Sequence, residues 1–361
     1  MTVGVPSVQA GRKRGERRVP EEASILAGRP VRALHRFALP TAPAWLAPRL
    51  LRRTRGYPRA VHRWLAFLAT PAALWLVVGA AAHGSAANGR IGYLRPLGGN
   101  EPPYGHVFAV NADGSGAVDL TPAGYTDVRS FAWSPGGRRI AFSAIKDGDD
   151  DPELFVMNPS GGVVRRLTEN HLADFQPSWS PNGRWIAFTS IRTGLSQIYR
   201  MRADGTAQRR LTRAFGNCDS PAWSPRGNLI AFHCAMASEK VALMRPNGTH
   251  IRVLLRRART IETKPVWSPD GRVVAFGRGL PGPSWRALGI WTIRSDGRRL
   301  HRVTARGGDP AFSPDGRWLA FVAPRNGNQE LYKVRANGRG MVQLTNTYGI
   351  GEAAPRWQRA P

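Results

Sequence analysis

The sequence predicts an all-β protein, a six-bladed β-propeller, on three observations. A Trp-Ser-Pro-x-Gly segment, with Phe for Trp in one copy, returns every 44 to 46 residues. Turn signals divide each interval, and no interval shows the apolar period of a helix. A period of about 40–50 residues with this organisation is typical of propeller blades. The repeats are anchored at Trp133, Trp179, Trp223, Trp267, Phe312 and, without the Ser-Pro-x-Gly that follows the others, Trp357.

Each repeat predicts four antiparallel strands. The first ends at the aromatic residue, and Ser-Pro-x-Gly then forms a tight turn, because proline restricts φ and glycine accepts a positive φ. A short apolar strand follows, as at 186–188, and then an alternating strand, as at 197–200. A dipeptide such as Asp204-Gly205 predicts the second hairpin turn. The fourth strand ends in Leu-Thr or Val-Thr, except at 254–255, where the threonine is missing.

The number of turns predicts how the ring closes. The chain has six second hairpin turns but five Ser-Pro-x-Gly turns. The first blade begins at its second strand, 89–93, so the segment 354–357 is predicted to supply its missing inner strand. An open ring would leave unpaired strand edges, which favour aggregation. The propeller domain is therefore predicted to span 88–358 and to be closed by its C-terminal strand.

The repeat resembles that of a known family. The cycle Pro-x-Trp-Ser-Pro-Asp-Gly, Ile-Ala-Phe, Ile-Tyr, Asp-Gly, Leu-Thr is similar to the TolB-type propeller repeat, a WD-repeat-like unit, over residues 89–358. Members of this family include periplasmic binding proteins of the bacterial envelope and the non-catalytic propellers of oligopeptidases. The resemblance implies a bacterial binding or scaffolding module, and a monomer is expected.

The first 83 residues have a different character. Residues 1–63 carry 14 Lys and Arg against 3 Glu, without an apolar period, and are predicted to be disordered. The run 64–82 has no charged residue and is followed by small residues, so 64–83 is predicted to be a signal peptide. The alternative is an uncleaved membrane anchor with its N-terminus inside. Either reading predicts export to the periplasm, the cell surface or the medium. Because no Met lies between Met1 and Met157, we also consider a non-ATG start at Val61.

The net charge and the sequence motifs indicate which classes of binding partner to expect. The formal net charge is +28, which favours acidic partners: an envelope protein or an anionic polymer. Nucleic acid is not expected, since no nucleic-acid-binding module stands out. Catalytic motifs are missing as well, and an enzyme is not expected.

The two cysteines, Cys218 and Cys234, flank one Ser-Pro-x-Gly turn symmetrically. In a hairpin about that turn they lie opposite each other on neighbouring strands. An exported chain meets an oxidising compartment, which favours a disulfide. The alternative is two buried free thiols, because a one-residue change of register would send the side chains to opposite faces.

An acidic residue precedes the inner strand of each blade. If these positions face the mouth of the central channel, six carboxylates form a negative ring that binds a ligand or Ca²⁺. The alternative is that each is a turn residue bonded to nearby backbone amides. The six residues are Asp127, Asp174, Asp219, Glu262, Asp309 and Glu352.

Long connections between second and third strands lie on the same side as these acids. Tyr104 and Trp285, on two of these loops, are candidate aromatic anchors for a partner. The sequence therefore predicts a protein- or polymer-binding module. The alternative is a lyase or hydrolase of sugars or peptides that uses a cation at the acidic mouth.

Overall fold

The computed structural model describes residues 88–96, 105–213, 216–235, 239–255, 259–281, 286–347 and 351–360. These residues form six four-stranded antiparallel sheets, and the predicted six-bladed all-β propeller is confirmed. The leader 1–63, the apolar run 64–82, Tyr104 and Trp285 lie outside the described residues. Within the described part of the chain, no helix has the length and apolar character needed to cross a bilayer.

The strands occupy four concentric positions. The inner strands are β4 (Tyr125–Trp133), β8 (Asp174–Trp179), β12 (Cys218–Trp223), β16 (Ile261–Trp267), β20 (Gly308–Phe312) and β24 (Ala353–Arg359). The second strands are β1 (Asn88–Arg95), β5 (Ile140–Lys146), β9 (Trp185–Ser190), β13 (Ile230–Ala235), β17 (Val273–Leu280) and β21 (Trp318–Arg325). The third strands are β2 (His106–Val110), β6 (Glu153–Met157), β10 (Gln197–Arg202), β14 (Glu239–Met244), β18 (Arg286–Arg294) and β22 (Asn328–Arg335). The outer strands are β3 (Val118–Asp119), β7 (Arg165–Arg166), β11 (Arg209–Arg210), β15 (Arg252–Val253), β19 (His301–Thr304) and β23 (Val342–Gln343).

Blade 1 joins the two ends of the domain. Its strand order is β24-β1-β2-β3, whereas blades 2 to 6 each use four consecutive strands. In the β24–β1 pair, Trp357 lies opposite Ile91 and Arg356 opposite Gly92. The predicted closure by the last strand is therefore confirmed. A second link ties Asn88 to blade 6, where its amide donates to Asp315 Oδ2 (3.0 Å).

The Ser-Pro-x-Gly turns have the predicted geometry. In blade 3, Gly183 has a φ of 66°, and its N–H donates to the carbonyl of Ser180 (2.9 Å). The Ser180 hydroxyl accepts from the N–H of Trp185 (2.9 Å). The serine therefore satisfies a backbone donor of the turn, which explains why it recurs with the proline and the glycine.

The core lies between blades. Leu154 and Val156 of blade 2 pack in one cluster with Trp179, Phe188 and Tyr199 of blade 3. The other clusters likewise combine neighbouring blades, and the Phe of each Ile-Ala-Phe segment is fully buried, as Phe188 is. A blade therefore buries its apolar surface against its neighbours, as expected for a repeat that is stable only in an array.

The Leu-Thr motif satisfies buried backbone. In blade 3 the hydroxyl of Thr212 accepts from Ile198 N (2.9 Å) and donates to Gln197 Oε1 (2.8 Å). Thr168 and Thr345 accept in the same way from the third strands of blades 2 and 6. The hydroxyl of the threonine thus bonds to the backbone at the end of the third strand. This polar side chain can be buried because both of its hydrogen bonds are made within the protein.

Cys218 and Cys234 lie directly opposite each other in the β12–β13 pair. Their Cα atoms are 4.0 Å apart, and the two residues form a disulfide. Both are buried. Of the two alternatives that the spacing left open, the structure has the register that joins the two sulfur atoms.

Candidate functional site: the central channel

The inner strands line a central channel, and a β-bulge shapes each of them. In blade 3, Phe175 pairs with Thr189 and Ser178 with Ala187, so β8 has one extra residue. The residue three positions before the aromatic adopts a positive φ and a proline follows it, which suits a bulge because a proline has no N–H for the ladder. The positive-φ residues at this position are Gln176, Ser220, Lys264, Asp309 and Ala354. Blade 2 departs from the pattern, since there the positive φ falls on Asp127.

The channel holds a cavity of about 680 Å³. Its wall is aromatic, proline-rich and basic. The aromatic wall residues of the repeat are Trp133, Trp179, Trp223, Trp267, Phe312 and Trp357. The basic wall residues are Arg129, Lys264, Arg356 and Arg359. None of the wall residues in the described part of the chain is Asp, Glu, His or Cys.

The structure does not bring the six predicted acids together. None of them belongs to the channel wall. They lie three to six residues before the aromatic residue, and side chains alternate between faces along a strand. The bulge shifts this alternation again. The six acids therefore point in different directions, although each of them precedes the aromatic residue of an inner strand.

Asp174 is fully buried between blades 2 and 3. Its Oδ2 lies 2.5 Å from Nη2 of Arg192 and accepts from the amide of Asn170 (2.9 Å). Arg192 in turn lies over the ring of Tyr199. Burial raises the pKa of Asp174, and its hydrogen bonds and Arg192 oppose that rise. This carboxylate connects blades and is not available to a ligand.

Glu352 has the same role between blades 6 and 1. It is buried, and its Oε1 lies 3.2 Å from Nη2 of Arg95. The hydroxyls of Thr345 and Thr347 each approach a Glu352 oxygen to 3.0 Å. Burial raises the pKa of Glu352 to about 7, and the nearby Glu330 carboxylate adds to the rise. The acid is therefore part of the closure of the ring.

Glu262 is buried between blades 4 and 5. It accepts from the Thr260 hydroxyl (2.6 Å) and lies 3.5 Å from Nζ of Lys240. Burial raises its pKa, against these partners. We use the term seam acids for Asp174, Glu262 and Glu352.

Sequence reasoning missed two further buried carboxylates at these seams. Glu330 accepts from Thr345 Oγ1 (2.7 Å), and Glu153 accepts from the backbone N–H of Asn170 (2.6 Å). Burial raises the pKa of Glu153 to about 7, and its hydrogen bonds oppose the rise. Both begin a third strand, or nearly so, 15 residues before the threonine they contact. That fixed spacing is the signal that could have identified them.

Each of the other three acids pairs with one basic side chain. Asp127 lies 2.8 Å from Nη2 of Arg129, and Asp219 lies 3.1 Å from Nδ1 of His233. Asp309 lies 2.5 Å from Nζ of Lys264, which reaches it from the preceding blade. Among the described residues, no three His, Cys, Asp or Glu side chains come together in a way that could hold a metal ion. The ligand set expected for Ca²⁺ at the mouth is therefore not assembled there.

Polar groups at the bulges satisfy one another around part of the channel. The N–H of Gln176 donates to the Ser130 hydroxyl (2.7 Å), and the N–H of Ser220 donates to Gln176 Oε1 (2.8 Å). Thr189 also donates to Gln176 Oε1 (2.8 Å). Blades 2 and 3 each supply an acceptor to the next blade, so hydrogen bonds link the wall from blade 2 to blade 4.

Fold and channel together define a closed six-bladed propeller with a basic, aromatic central cavity. The family model for the TolB beta propeller domain matches residues 123–309, just over half of the chain. The chain therefore belongs to the TolB β-propeller family, as its repeat predicted.

Solved structures share the fold. TolB from Acinetobacter baumannii matches with a TM-score of 0.65 at 20% identity, over 76% of this chain and 67% of that one. Hydrazine synthase from Kuenenia stuttgartiensis matches with a TM-score of 0.62 at 12% identity, over 76% of this chain and 47% of that one. A chain of a nidogen/laminin complex matches with a TM-score of 0.60 at 11% identity, over 75% and 98%. At these identities the likeness shows the fold alone.

One curated relative is an uncharacterized protein from Agrobacterium fabrum. It is 36% identical over 52 residues, which are 14% of this chain and 18% of that protein. The chain thus matches less than a fifth of the relative's length.

Proposed function

We propose that this protein is an exported binding module of the cell envelope that holds an extended segment of a partner protein in its central channel. The observation that carries the proposal is the channel wall, which places indole rings, prolines and cations around a cavity of about 680 Å³. Concave, mostly apolar sites with a few polar groups are typical of binding sites. Trp and Arg are also the residues that most often dominate binding energy at interfaces.

Binding is favoured over catalysis by the chemistry of the wall. Proton transfer and nucleophilic catalysis usually employ His, carboxylate or Cys side chains. The described wall offers Trp, Pro, Ser and basic residues instead. Rigid aromatic side chains supply contact area at a low cost in conformational entropy, which suits recognition of an extended segment.

Two features support export. The apolar run 64–82 has the composition of a signal or an anchor. The disulfide between Cys218 and Cys234 is of the kind that persists in oxidising compartments. Membership of the TolB propeller family supports the envelope as the destination.

Site-specific photo-crosslinking tests the binding site. A benzoylphenylalanine at Phe175, in the channel wall, should form an adduct with a partner protein in the envelope of living cells. The matched control is the same substitution at Met341, an exposed residue on the outer side of blade 6. Equal adducts from both positions, or an adduct from Met341 alone, would contradict the channel as the binding site.

A reporter fusion tests export separately. A phosphatase that folds only in an oxidising compartment is fused after the full chain, and a second fusion lacks residues 64–82. We expect activity from the first fusion alone. Equal activity from both fusions, or none from either while the fusions are intact, would contradict export.

A further inference from the structure

We propose that Arg356 is an anion anchor inside the channel, and that the segment bound there is an acidic peptide whose carboxylate pairs with this guanidinium. The inference rests on the proposed function and adds the chemical class of the ligand. Arg356 departs from the residue type that the repeat has at its position.

Arg356 stands where the other blades have small side chains. It immediately precedes the aromatic residue of its inner strand and belongs to the channel wall. Arg356 therefore brings a positive charge to the wall at a position where the other blades have uncharged residues. The corresponding residues of the other blades are Ala132, Ser178, Ala222, Val266 and Ala311.

Among the residues that the structure describes, no carboxylate forms an ion pair with the guanidinium of Arg356. Its Nη1 donates to the carbonyl of Pro355 (2.8 Å). The acid that acts on it electrostatically, Asp309, lies 2.5 Å from Nζ of Lys264. Burial lowers the pKa of Arg356, although Asp309 opposes that effect. An arginine stays protonated in proteins, so a positive charge that is partly shielded from water remains at the channel wall.

The other cations of the described wall are placed differently. Arg129 is held by Asp127, with two nitrogens 2.8 and 3.1 Å from the same oxygen. Lys264 is held by Asp309. Arg359 is exposed at the C-terminal end of strand β24. Among the cations of the described wall, Arg356 is therefore the one that is partly buried and not held by a carboxylate, so a bound anion would offset part of its desolvation.

A peptide fits this arrangement better than a polyanion. A chain with a negative charge on every unit needs cations at a similar spacing, and would leave most of its charges desolvated against indoles and prolines. A peptide with one carboxylate between apolar residues matches one guanidinium among aromatic walls. An arginine fork binds a carboxylate through two parallel hydrogen bonds, and tryptophan rings pack on apolar side chains.

The test is a selection from a random library of 12-residue displayed peptides on the full chain, immobilised through an N-terminal tag. It is repeated on Arg356→Gln and on a control, Arg339→Gln, which removes the same charge from an exposed hairpin turn of blade 6. We expect Asp or Glu to be enriched at one position beside apolar residues with the unmodified chain and the control, and this enrichment to disappear with Arg356→Gln.

Affinities of the best peptide then measure the pair directly. Replacing its acid by the amide should weaken binding to the unmodified chain about 10- to 100-fold, and should have little effect on binding to Arg356→Gln. Thermal melts of Arg356→Gln should show a midpoint equal to or above that of the unmodified chain, because a desolvated charge is lost. This keeps a binding defect distinct from misfolding.

The other outcomes are equally informative. Peptides enriched without an acid, or with an acid that Arg356→Gln still selects, would overturn the anchor and leave the channel as a binding site. Binding of polyglycerol phosphate that depends on Arg356, with no enriched peptide, would overturn the choice of a peptide. Failure of both probes to bind would count against the proposed function itself.

Discussion

At the scale of single residues, buried carboxylates link the stability of the ring to pH. The folded-state pKa of Glu352 is raised to about 7 by burial, above the ordinary value of a glutamate. The folded protein thus binds this proton more tightly than the unfolded chain does. The stability gained from protonation is present at low pH and is lost as the pH rises to about 7.

We therefore predict that Glu352→Gln removes part of the pH dependence of folding. Urea unfolding of the unmodified protein should show a free energy that falls between about pH 4.5 and 7, by on the order of 3 kcal/mol from this site. In Glu352→Gln that part of the slope should be missing. Identical slopes for the two proteins would show that the glutamate is not protonated in the folded state.

A second residue-scale prediction concerns the glycine of the second hairpin turn. Gly205 has a φ of 86°, and a Cβ there would lie 2.7 Å from the carbonyl oxygen of Leu167 in the preceding blade. Gly205→Ala should lower the free energy of unfolding by about 2–3 kcal/mol, combining backbone strain with this contact.

The matched control is Gly194→Ala. Its φ is 87°, but no atom lies within 4 Å of the added Cβ. We expect a loss of only about 1 kcal/mol from the backbone. If urea unfolding gave the same loss of stability for both variants, the contact of the added Cβ with the Leu167 carbonyl would contribute nothing to the free energy of unfolding.

At the scale of elements, short sequence patterns predicted the strands. The site depends on the bulges of the inner strands and on one irregular repeat position, which those patterns do not show. Turn dipeptides and apolar runs predicted the strands of each blade, and the Cys spacing favoured the register that the structure has. The seam acids were misplaced because the direction of Asp174 depends on the bulge at Gln176, which no short-range pattern revealed. The basic wall was missed because Arg356 occupies a repeat position that is otherwise small. The roles of Tyr104 and Trp285 remain predictions.

The disulfide gives a prediction for the hairpin of β12 and β13. Cys218 and Cys234 are separated by 16 residues, a loop for which cross-linking stabilises a protein by about 3 kcal/mol in the chain-entropy account. Replacing both by serine should lower stability by about 2–3 kcal/mol. A reductant should destabilise the unmodified protein to a similar extent and leave the double variant unchanged. Insensitivity of both proteins to the reductant would contradict a structural disulfide.

At the scale of the whole molecule, the ring depends on the strand supplied from its far end. Strand β24 pairs with β1, and it also carries Trp357 and Arg356 into the channel wall. Removing it would expose the edge of β1 and open the core shared by blades 6 and 1, where Trp357 packs with Tyr93 and Leu331.

We predict that deletion of residues 352–361 abolishes the cooperative melt of the domain and causes aggregation, since an unpaired edge promotes association. Calorimetry and size-exclusion chromatography of the deleted and full chains measure both effects. A control deletion of residues 1–60, upstream of the apolar run, should leave the melt unchanged. A monomeric deleted chain with a comparable melt would refute the role of closure.

The pairing of β24 with β1 also sets the order of events in biosynthesis. A ribosome makes β1 first and β24 last among these strands, so the first blade waits, incomplete, through the synthesis of the other five. Contacts between such distant parts of a chain form slowly. The ring thus stays open until β24 has been synthesised. Closure of the ring is therefore a late step, which can follow only after the last strand of the propeller has been made.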